Sequence, residues 1–153
     1  MHFVDTNLLV YARDDADPWK RDRAREVLTR LWQTGNGRIS HQVLVEFYAT
    51  VTRKLKPGLP REDAMADVRE LSVWKPVAHS TPLFERAWHL EDRYGFSWWD
   101  SLIVAAALAS DSTTLLTEDL QHGLVIETLR VANPFHADFD LNELSTIANR
   151  PRY

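Results

Sequence analysis

Residues 2–11 read HFVDTNLLVY, a short apolar segment followed by three polar residues and a second apolar segment. The first segment predicts a buried strand that begins near the start of the chain. The polar triplet Asp5, Thr6 and Asn7 contains residue types that favour the N-terminal end of a helix. Residues 8–13 are therefore expected to form a short helix, directly after the strand and its terminal acid.

The rest of the chain continues this alternation of strands and helices. Capping residues, apolar spacing and Gly or Pro breaks predict helices at residues 18–34, 41–54, 60–71, 81–94 and 97–109. Short strands are predicted at residues 38–40, 113–117, 124–126 and 128–131, with a weaker candidate at 74–79. The alternation predicts an α/β fold: a three-layer α/β/α sandwich with a short central parallel sheet.

Length and composition are those of one ordinary globular domain. The chain has 153 residues, of which 44% are hydrophobic and 26% are charged. We assign residues 1–135 to the domain and residues 136–153 to a C-terminal tail, which can pack on the body, join a dimer contact or stay mobile. Leu141, Leu144 and Ile147 could give this tail an amphipathic turn.

Composition also excludes several classes of protein. There is no cysteine, so disulfide frameworks, thiolate metal sites and a cysteine nucleophile are excluded. The N-terminal segment lacks the basic start of a signal peptide, and the longest apolar run, residues 102–109, is too short to span a bilayer. We therefore expect a cytoplasmic protein without membrane contact. The formal charge of −4 argues against a DNA-coating protein, but not against a nuclease whose acids surround cations.

Two acidic residues follow predicted strands. Asp5 follows the first strand, and Asp119 follows the strand predicted at residues 113–117. Ligands of open α/β sheets lie beyond the carboxyl ends of the strands, which favours a functional role for both residues. Each could instead cap a helix or a turn, and the adjacent Glu118 could be the functional acid in place of Asp119.

Two further acids lie in apolar helices. Glu46 has no cation three or four residues away, and Asp100 is the one ionisable group of its predicted helix. An unpaired charge is costly in such surroundings, which calls for a functional explanation. Glu46 could instead share a solvated stripe with Gln42 and Thr50, and Asp100 could be the acid of a capping box that begins at Ser97.

These four acids can converge on one edge of a parallel sheet. They are Asp5, Glu46, Asp100 and Asp119. Neighbouring carboxylates cannot all ionise without a cation, and oxygen ligands without cysteine suit Mg²⁺ or Mn²⁺ rather than zinc. Such ions bind phosphate oxygens and activate water, so the pattern indicates phosphodiester hydrolysis.

Four segments of the chain resemble the PIN domain as it is found in VapC toxins. They are FVDTNLLVYA at residues 3–12, VLVEFYATVTRK at 43–54, GFSWWDSLIVAAAL at 95–108 and LLTEDLQHG at 115–123. The segments occur in the family's order and each carries one of the four acids. The resemblance extends from the first residues to about residue 135, which is nearly the whole predicted domain.

The resemblance implies roles for seven residues. Four acids would form the catalytic metal site, a hydroxyl before the last acid would orient a water or the metal shell, and two polar residues would support the first acid. These are, respectively, Asp5, Glu46, Asp100 and Asp119; Thr117; and Thr6 and Asn7.

The resemblance also implies an activity and partners. The chain would be a metal-dependent endoribonuclease that hydrolyses phosphodiester bonds in RNA with Mg²⁺ or Mn²⁺, acting as the toxin of a toxin–antitoxin pair. The VapC branch implies inhibition by a small antitoxin and, commonly, a homodimer. A housekeeping PIN nuclease of RNA maturation is an alternative with the same site. A non-catalytic Mg²⁺-binding signalling module is disfavoured, because Glu46 lies inside a helix and no lysine follows Lys75.

Aromatic, basic and histidine side chains have more than one interpretation. Trp98 and Trp99 could stack on RNA bases, although core packing or a dimer interface is favoured for at least one of them. The basic clusters at residues 20–25 and 53–56 could steer phosphate or form solvated faces. His122 could contact substrate, but a surface histidine is the preferred interpretation.

Overall fold

The computed structural model describes residues 1–145, which form six α-helices and a five-stranded sheet. The strands are β1 (His2–Val4), β2 (Gly37–Arg38), β3 (Thr114–Leu116), β4 (Val125–Ile126) and β5 (Leu129–Ala132). The helices are α1 (Thr6–Tyr11), α2 (Pro18–Thr34), α3 (His41–Arg53), α4 (Arg61–Leu71), α5 (Thr81–Tyr94) and α6 (Trp98–Ala109). The predicted α/β class is confirmed.

The sheet has the strand order β2-β1-β3-β5-β4. The first four strands in this order are parallel neighbours, as predicted, whereas β4 pairs antiparallel with β5. Only two residues connect β4 to β5, and so short a connection can form a hairpin but not a crossover. In the centre of the sheet Val4 is in register with Leu116, so β1 and β3 end side by side.

The central strands are covered on both faces. Successive residues of a strand project to opposite faces, and Phe3 and Val4 of β1 are both fully buried, as are Leu115 and Leu116 of β3. Helix α6 lies in the same core, with every residue from 101 to 107 buried. No helix in residues 1–145 is long and apolar enough to cross a bilayer.

The strand predicted at residues 74–79 is wrong. Ser72–Trp74 forms a turn of 3₁₀ helix, and Lys75 adopts a left-handed conformation with φ of 54°. The next residue is Pro76, which has no amide hydrogen to donate to a sheet. What remains of sheet pairing in this segment is one parallel bridge between Ser40 and Val77.

The described part of the tail packs on the body of the protein. Phe139 and Leu144 are buried, and a short 3₁₀ helix at Leu141–Ser145 lies against α2, where Arg30 donates to the Ser145 hydroxyl at 2.5 Å. Residues 136–145 therefore pack on the body, which is one of the three alternatives considered for the tail. Ile147 lies outside the described residues, and the division at residue 135 stays a prediction.

Candidate active site

The carboxylate of Asp5 lies where β1 and β3 end side by side. Its backbone amide continues the β1–β3 ladder by donating to the Leu116 carbonyl at 3.0 Å. Its side chain caps α1, with Oδ1 accepting from the Thr6 amide at 2.7 Å, and Oδ2 accepts from the Thr117 hydroxyl at 2.8 Å. The helix-capping alternative is therefore correct for Asp5, but one carboxylate oxygen is left to face the end of β3.

The Thr117 hydroxyl joins Asp5 to the last of the four acids. This hydroxyl accepts from Asn7 Nδ2 at 3.2 Å and from the Asp119 amide at 3.1 Å, and the residue is 1% exposed. Asn7 Nδ2 also donates to Asp119 Oδ2 at 3.1 Å. The three supporting contacts hold the carboxylates of Asp5 and Asp119 at the same edge of the sheet.

Glu46 reaches this edge from α3, which packs against α1. Its Oε2 accepts from the Thr6 hydroxyl at 2.9 Å, and its Oε1 accepts from Gln42 Nε2 at 3.0 Å. Gln42 is 6% exposed, whereas Glu46 and Thr50 are half-buried, so the predicted solvated stripe is present only in part. Thr6 thus links the second acid to the first, with its amide on Asp5 and its hydroxyl on Glu46.

Asp100 lies in the first turn of α6. Its amide donates to the Ser97 hydroxyl at 3.1 Å, so the predicted cap at Ser97 is present. Burial raises the pKa of the Asp100 carboxyl, the Ser97 hydroxyl lowers it, and the negative charges of Asp119 and Glu46 raise it further. Asp100 therefore lies in a helix turn that Ser97 caps, within the electric field of two other acids.

The pKa of the Asp5 carboxyl is raised by the same causes, burial and neighbouring negative charges. Burial, opposed by the hydrogen bonds from Thr117 and Thr6, raises the pKa of its carboxyl to about 7, and the charges of Asp119 and Glu46 add to the rise. Half-protonation near neutral pH is the response expected of a buried acid with like-charged neighbours. A cation at this edge would favour the ionised form instead.

The donor set of this edge fits a hard dication. All the candidate ligands are oxygens, and Asn7 Oδ1 is a buried acceptor that lacks a hydrogen-bond partner within residues 1–145. In that part of the chain, however, no three Asp, Glu or His side chains form a group close enough to hold an ion as they stand. The acids thus share one edge and one field without forming a closed coordination shell.

The structure separates the two adjacent acids after β3. Glu118 accepts from the Tyr11 hydroxyl at 2.5 Å and from Lys20 Nζ at 2.7 Å. The Lys20 ammonium also lies 4.5 Å from the centre of the Tyr11 ring. Asp119, bonded to Asn7, is the acid grouped with the predicted site, and Glu118 is neutralised by a cation. Spacing alone gave no signal of the contacts made by Tyr11 and Lys20, because they lie about a hundred residues from Glu118.

A groove of about 700 Å³ opens beside the acids. Nine residues from four separate parts of the chain line it: Thr6, His41, Gln42, Val45, Glu46, Thr50, Lys54, His79 and Trp99. Thr6 and Glu46 belong both to this groove and to the acidic edge. Sequence reasoning did not identify the groove, because its walls come from α1, α3, α6 and the segment before α5.

The other predicted candidates have structural partners. His122 is half-buried rather than exposed, since its Nδ1 accepts from the Asn133 amide at 3.0 Å and its ring stacks on His136. Most of the first basic cluster is engaged in contacts within the chain, for example through the ion pair of Arg23 with Glu26. Lys54 of the second cluster lies in the groove.

Comparison with known proteins identifies one family. The PIN domain family model matches residues 2–125. No curated protein matches the chain in sequence.

Solved structures with a similar fold include three from bacteria. A toxin–antitoxin complex from Klebsiella pneumoniae has a TM-score of 0.66 at 20% identity, covering 88% of this chain and 98% of that one. VapC20 of Mycobacterium tuberculosis, described as a sarcin–ricin-loop-cleaving toxin, has a TM-score of 0.58 at 22% identity, covering 75% and 87%. VapBC2 of Rickettsia felis, bound to a promoter DNA fragment, has a TM-score of 0.56 at 21% identity, covering 86% and 97%.

Proposed function

We propose that this chain, which belongs to the PIN domain family, is a metal-dependent endoribonuclease that acts as the toxin of a toxin–antitoxin pair. One observation carries the proposal: four acids from separate elements lie within electrostatic range of one another at one edge of the sheet, and three polar side chains hydrogen-bond to three of these acids. The acids are Asp5, Glu46, Asp100 and Asp119, and the polar side chains are those of Thr6, Asn7 and Thr117.

The acidic edge is proposed to hold Mg²⁺ or Mn²⁺ between the four carboxylates. A dication bound there would bind a phosphate oxygen of RNA, lower the pKa of a water and neutralise the leaving oxygen. Phosphodiester hydrolysis is the reaction that fits such a donor set, because oxygen ligands hold hard cations and leave positions for phosphate and water.

The surrounding residues keep the acids in place for this reaction. Both oxygens of Glu46 accept hydrogen bonds, from Thr6 and Gln42, so the orientation of that carboxylate is fixed. Thr117 does the same for Asp5, and Asn7 does it for Asp119. Outer hydrogen bonds of this kind typically contribute about 10- to 100-fold in metal affinity or activity.

The toxin role is supported by the fold. The similar structures include toxins and toxin–antitoxin assemblies, so we propose a small antitoxin protein as the inhibitory partner, a homodimeric state and a cytoplasmic location. A housekeeping PIN nuclease would use the same acids and differ in its partner. A signalling module is disfavoured, because Glu46 enters the site from a helix rather than from a strand end.

The activity is tested with purified protein and total RNA, incubated with Mg²⁺, with Mn²⁺ and with EDTA, after which new RNA ends are mapped. We expect discrete cuts that require the metal and that disappear in Asp100→Asn. Asp92→Asn, an exposed acid on α5, is the matched control and is expected to cut like the wild type. Cleavage by Asp100→Asn at the wild-type rate would refute the site assignment.

The toxin role needs a separate experiment. Expression of the wild-type chain alone is expected to slow growth, and co-expression of the small protein encoded beside it is expected to restore growth. Full nuclease activity without any effect on growth would favour the housekeeping alternative.

A further inference from the structure

We propose that the groove beside Glu46 is a nucleotide subsite, in which one unpaired RNA base next to the cut stacks on Trp99. This inference rests on the proposed function and assigns Trp99 as the residue that holds the base adjacent to the scissile phosphate.

Trp99 is the aromatic surface of this groove. Its side chain is 62% exposed and lines the groove with Glu46, whereas the adjacent Trp98 is half-buried against the core, where it stacks on Trp88 and contacts Phe84. Successive residues of a helix project in different directions. Of the two tryptophans in the first turn of α6, Trp98 therefore packs against neighbouring aromatic residues and Trp99 faces the groove.

The groove is continuous with the acids. Trp99 is the residue before Asp100, and Thr6 and Glu46 line the groove while also belonging to the acidic edge. A base stacked on Trp99 would thus leave its own phosphate near the carboxylates. The volume of about 700 Å³ lies within the roughly 300–1,000 Å³ of ligand-sized pockets.

The charge of the groove suits a nucleic acid backbone. Glu46 is the one acid among its nine lining residues, while Lys54, His41 and His79 provide a cation and two hydrogen-bonding rings on the walls. An exposed tryptophan can also mark a protein contact. RNA is favoured here because the groove opens onto the acidic edge and combines an aromatic face with a lysine, which is the combination that binds single strands.

An unpaired base is required by the geometry of stacking. In a duplex both faces of a base are covered by its neighbours, so an aromatic side chain reaches a face only where the base is unstacked. Stacking is also tolerant of base identity. The subsite therefore selects for local single-strandedness more than for sequence.

The test uses a short RNA that contains the mapped cleavage site. Steady-state cleavage of this RNA is compared for the wild type and for Trp99→Ala, Trp99→Phe and Trp19→Ala. Trp19 is 61% exposed on α2 and lies in another pocket, which makes it the matched control. We expect Trp99→Ala to raise KM by about 5- to 150-fold with kcat changed less than about threefold, the size of one base–aromatic stack. Trp99→Phe should recover most of this loss, and Trp19→Ala should behave as the wild type.

A second arm identifies the base. An abasic nucleotide is moved along the RNA, and at one position beside the cut it should weaken cleavage by the wild type as much as Trp99→Ala does. The same abasic RNA should cause no further loss in Trp99→Ala. Independent, additive losses at every position would overturn the proposal.

A binding arm keeps the subsite separable from the cleavage activity. Fluorescence anisotropy of labelled RNA is measured with Asp119→Asn and with Asp119→Asn/Trp99→Ala, whose folding is checked by circular dichroism. Equal affinities would overturn the subsite even if the wild type cuts RNA. Absence of any cleavage by the wild type, together with weaker binding of the double variant, would instead refute the proposed nuclease and keep the subsite. A changed molecular mass of Trp99→Ala with unchanged RNA kinetics would assign the surface to a protein contact and overturn the proposal.

Discussion

The Thr117 hydroxyl donates its one hydrogen to Asp5 Oδ2 at 2.8 Å, across 112 positions of sequence. The two residues directly follow β1 and β3, whose last residues are paired in register. The same oxygen accepts from Asn7 and from the Asp119 amide, so one buried hydroxyl joins three parts of the acidic edge.

Removal of this hydroxyl should destabilise the metal-free protein. Thr117→Val keeps the shape but leaves the Asp119 backbone amide without its acceptor and removes one of the two acceptors of Asn7 Nδ2, at a cost of roughly 1–3 kcal/mol in the free energy of unfolding. Thr117→Ser retains the hydroxyl and should lose less. Urea unfolding in EDTA measures both, and equal stabilities for the Val and Ser variants would contradict this role.

Replacing each of the two acids after β3 should have a different effect on RNA cleavage. Asp119→Asn is expected to lower RNA cleavage by at least about 100-fold, more than the loss of an outer hydrogen-bond partner would cause. Glu118→Gln removes only the ion pair with Lys20 and should lower cleavage less than about tenfold. Cleavage rates at saturating Mg²⁺ decide between them, and the reverse order would make Glu118 the functional acid.

The stability of the metal-free protein should fall as pH rises from about 4 to 7. The pKa of Asp5 is about 7 in the folded protein and about 3.9 in an unfolded chain. Between these values the folded state holds more protons than the unfolded state, so the stabilisation is complete at low pH and is lost as pH rises through 7. Three units correspond to at most about 4 kcal/mol.

This pH dependence has an internal control. Asp5→Asn cannot ionise, so in EDTA its free energy of unfolding should change less between pH 5 and pH 8 than that of the wild type. Asp100, whose pKa is also raised, gives a residual slope of the same sign. Urea titrations at the two pH values give the difference, and parallel slopes for both proteins would show that Asp5 is not the responsible group.

Divalent metal should reverse the loss of stability at high pH. A ligand that binds only the folded state at about 100 times its Kd adds about 2.7 kcal/mol, so Mg²⁺ or Mn²⁺ should raise the Tm of the wild type at pH 8. Asp5→Asn, which lacks one carboxylate of the proposed site, should show a much smaller rise. A Tm of the wild type that is the same in metal and in EDTA would contradict a metal site at this edge.

The packed part of the tail should contribute to stability. Phe139 and Leu144 are large apolar side chains that are buried on the body of the protein. A chain that ends at residue 135 lacks both and exposes the surface that they cover. We expect it to be less stable than a chain that ends at residue 145 by roughly 2–4 kcal/mol, after the entropy of ordering the segment is subtracted. Thermal unfolding of the two chains measures the difference, and equal Tm values would confirm the domain boundary at residue 135.

Sequence signals predicted the structure correctly where the residues of a single helix determine it, as at helix starts. Ser97 caps α6 and Pro18 begins α2, as their positions predicted. Prediction failed at residues 74–79, which were the weaker strand candidate, because Lys75 and Pro76 prevent a ladder. It also missed the antiparallel direction of β4, which is set by the length of its connection to β5 rather than by its composition.

The sequence by itself determined the α/β class, the helix starts and the four acids that need an explanation, because capping and periodicity act within about four residues. Only the tertiary structure decided which residues meet. The register of β1 with β3 places Asp5 beside Thr117, and the packing of α3 on α1 places Glu46 beside Thr6. Glu118 forms an ion pair with Lys20 and is not one of the grouped acids. The physical reason is that these contacts join segments far apart in the chain, and their positions depend on how the whole core packs rather than on any local preference.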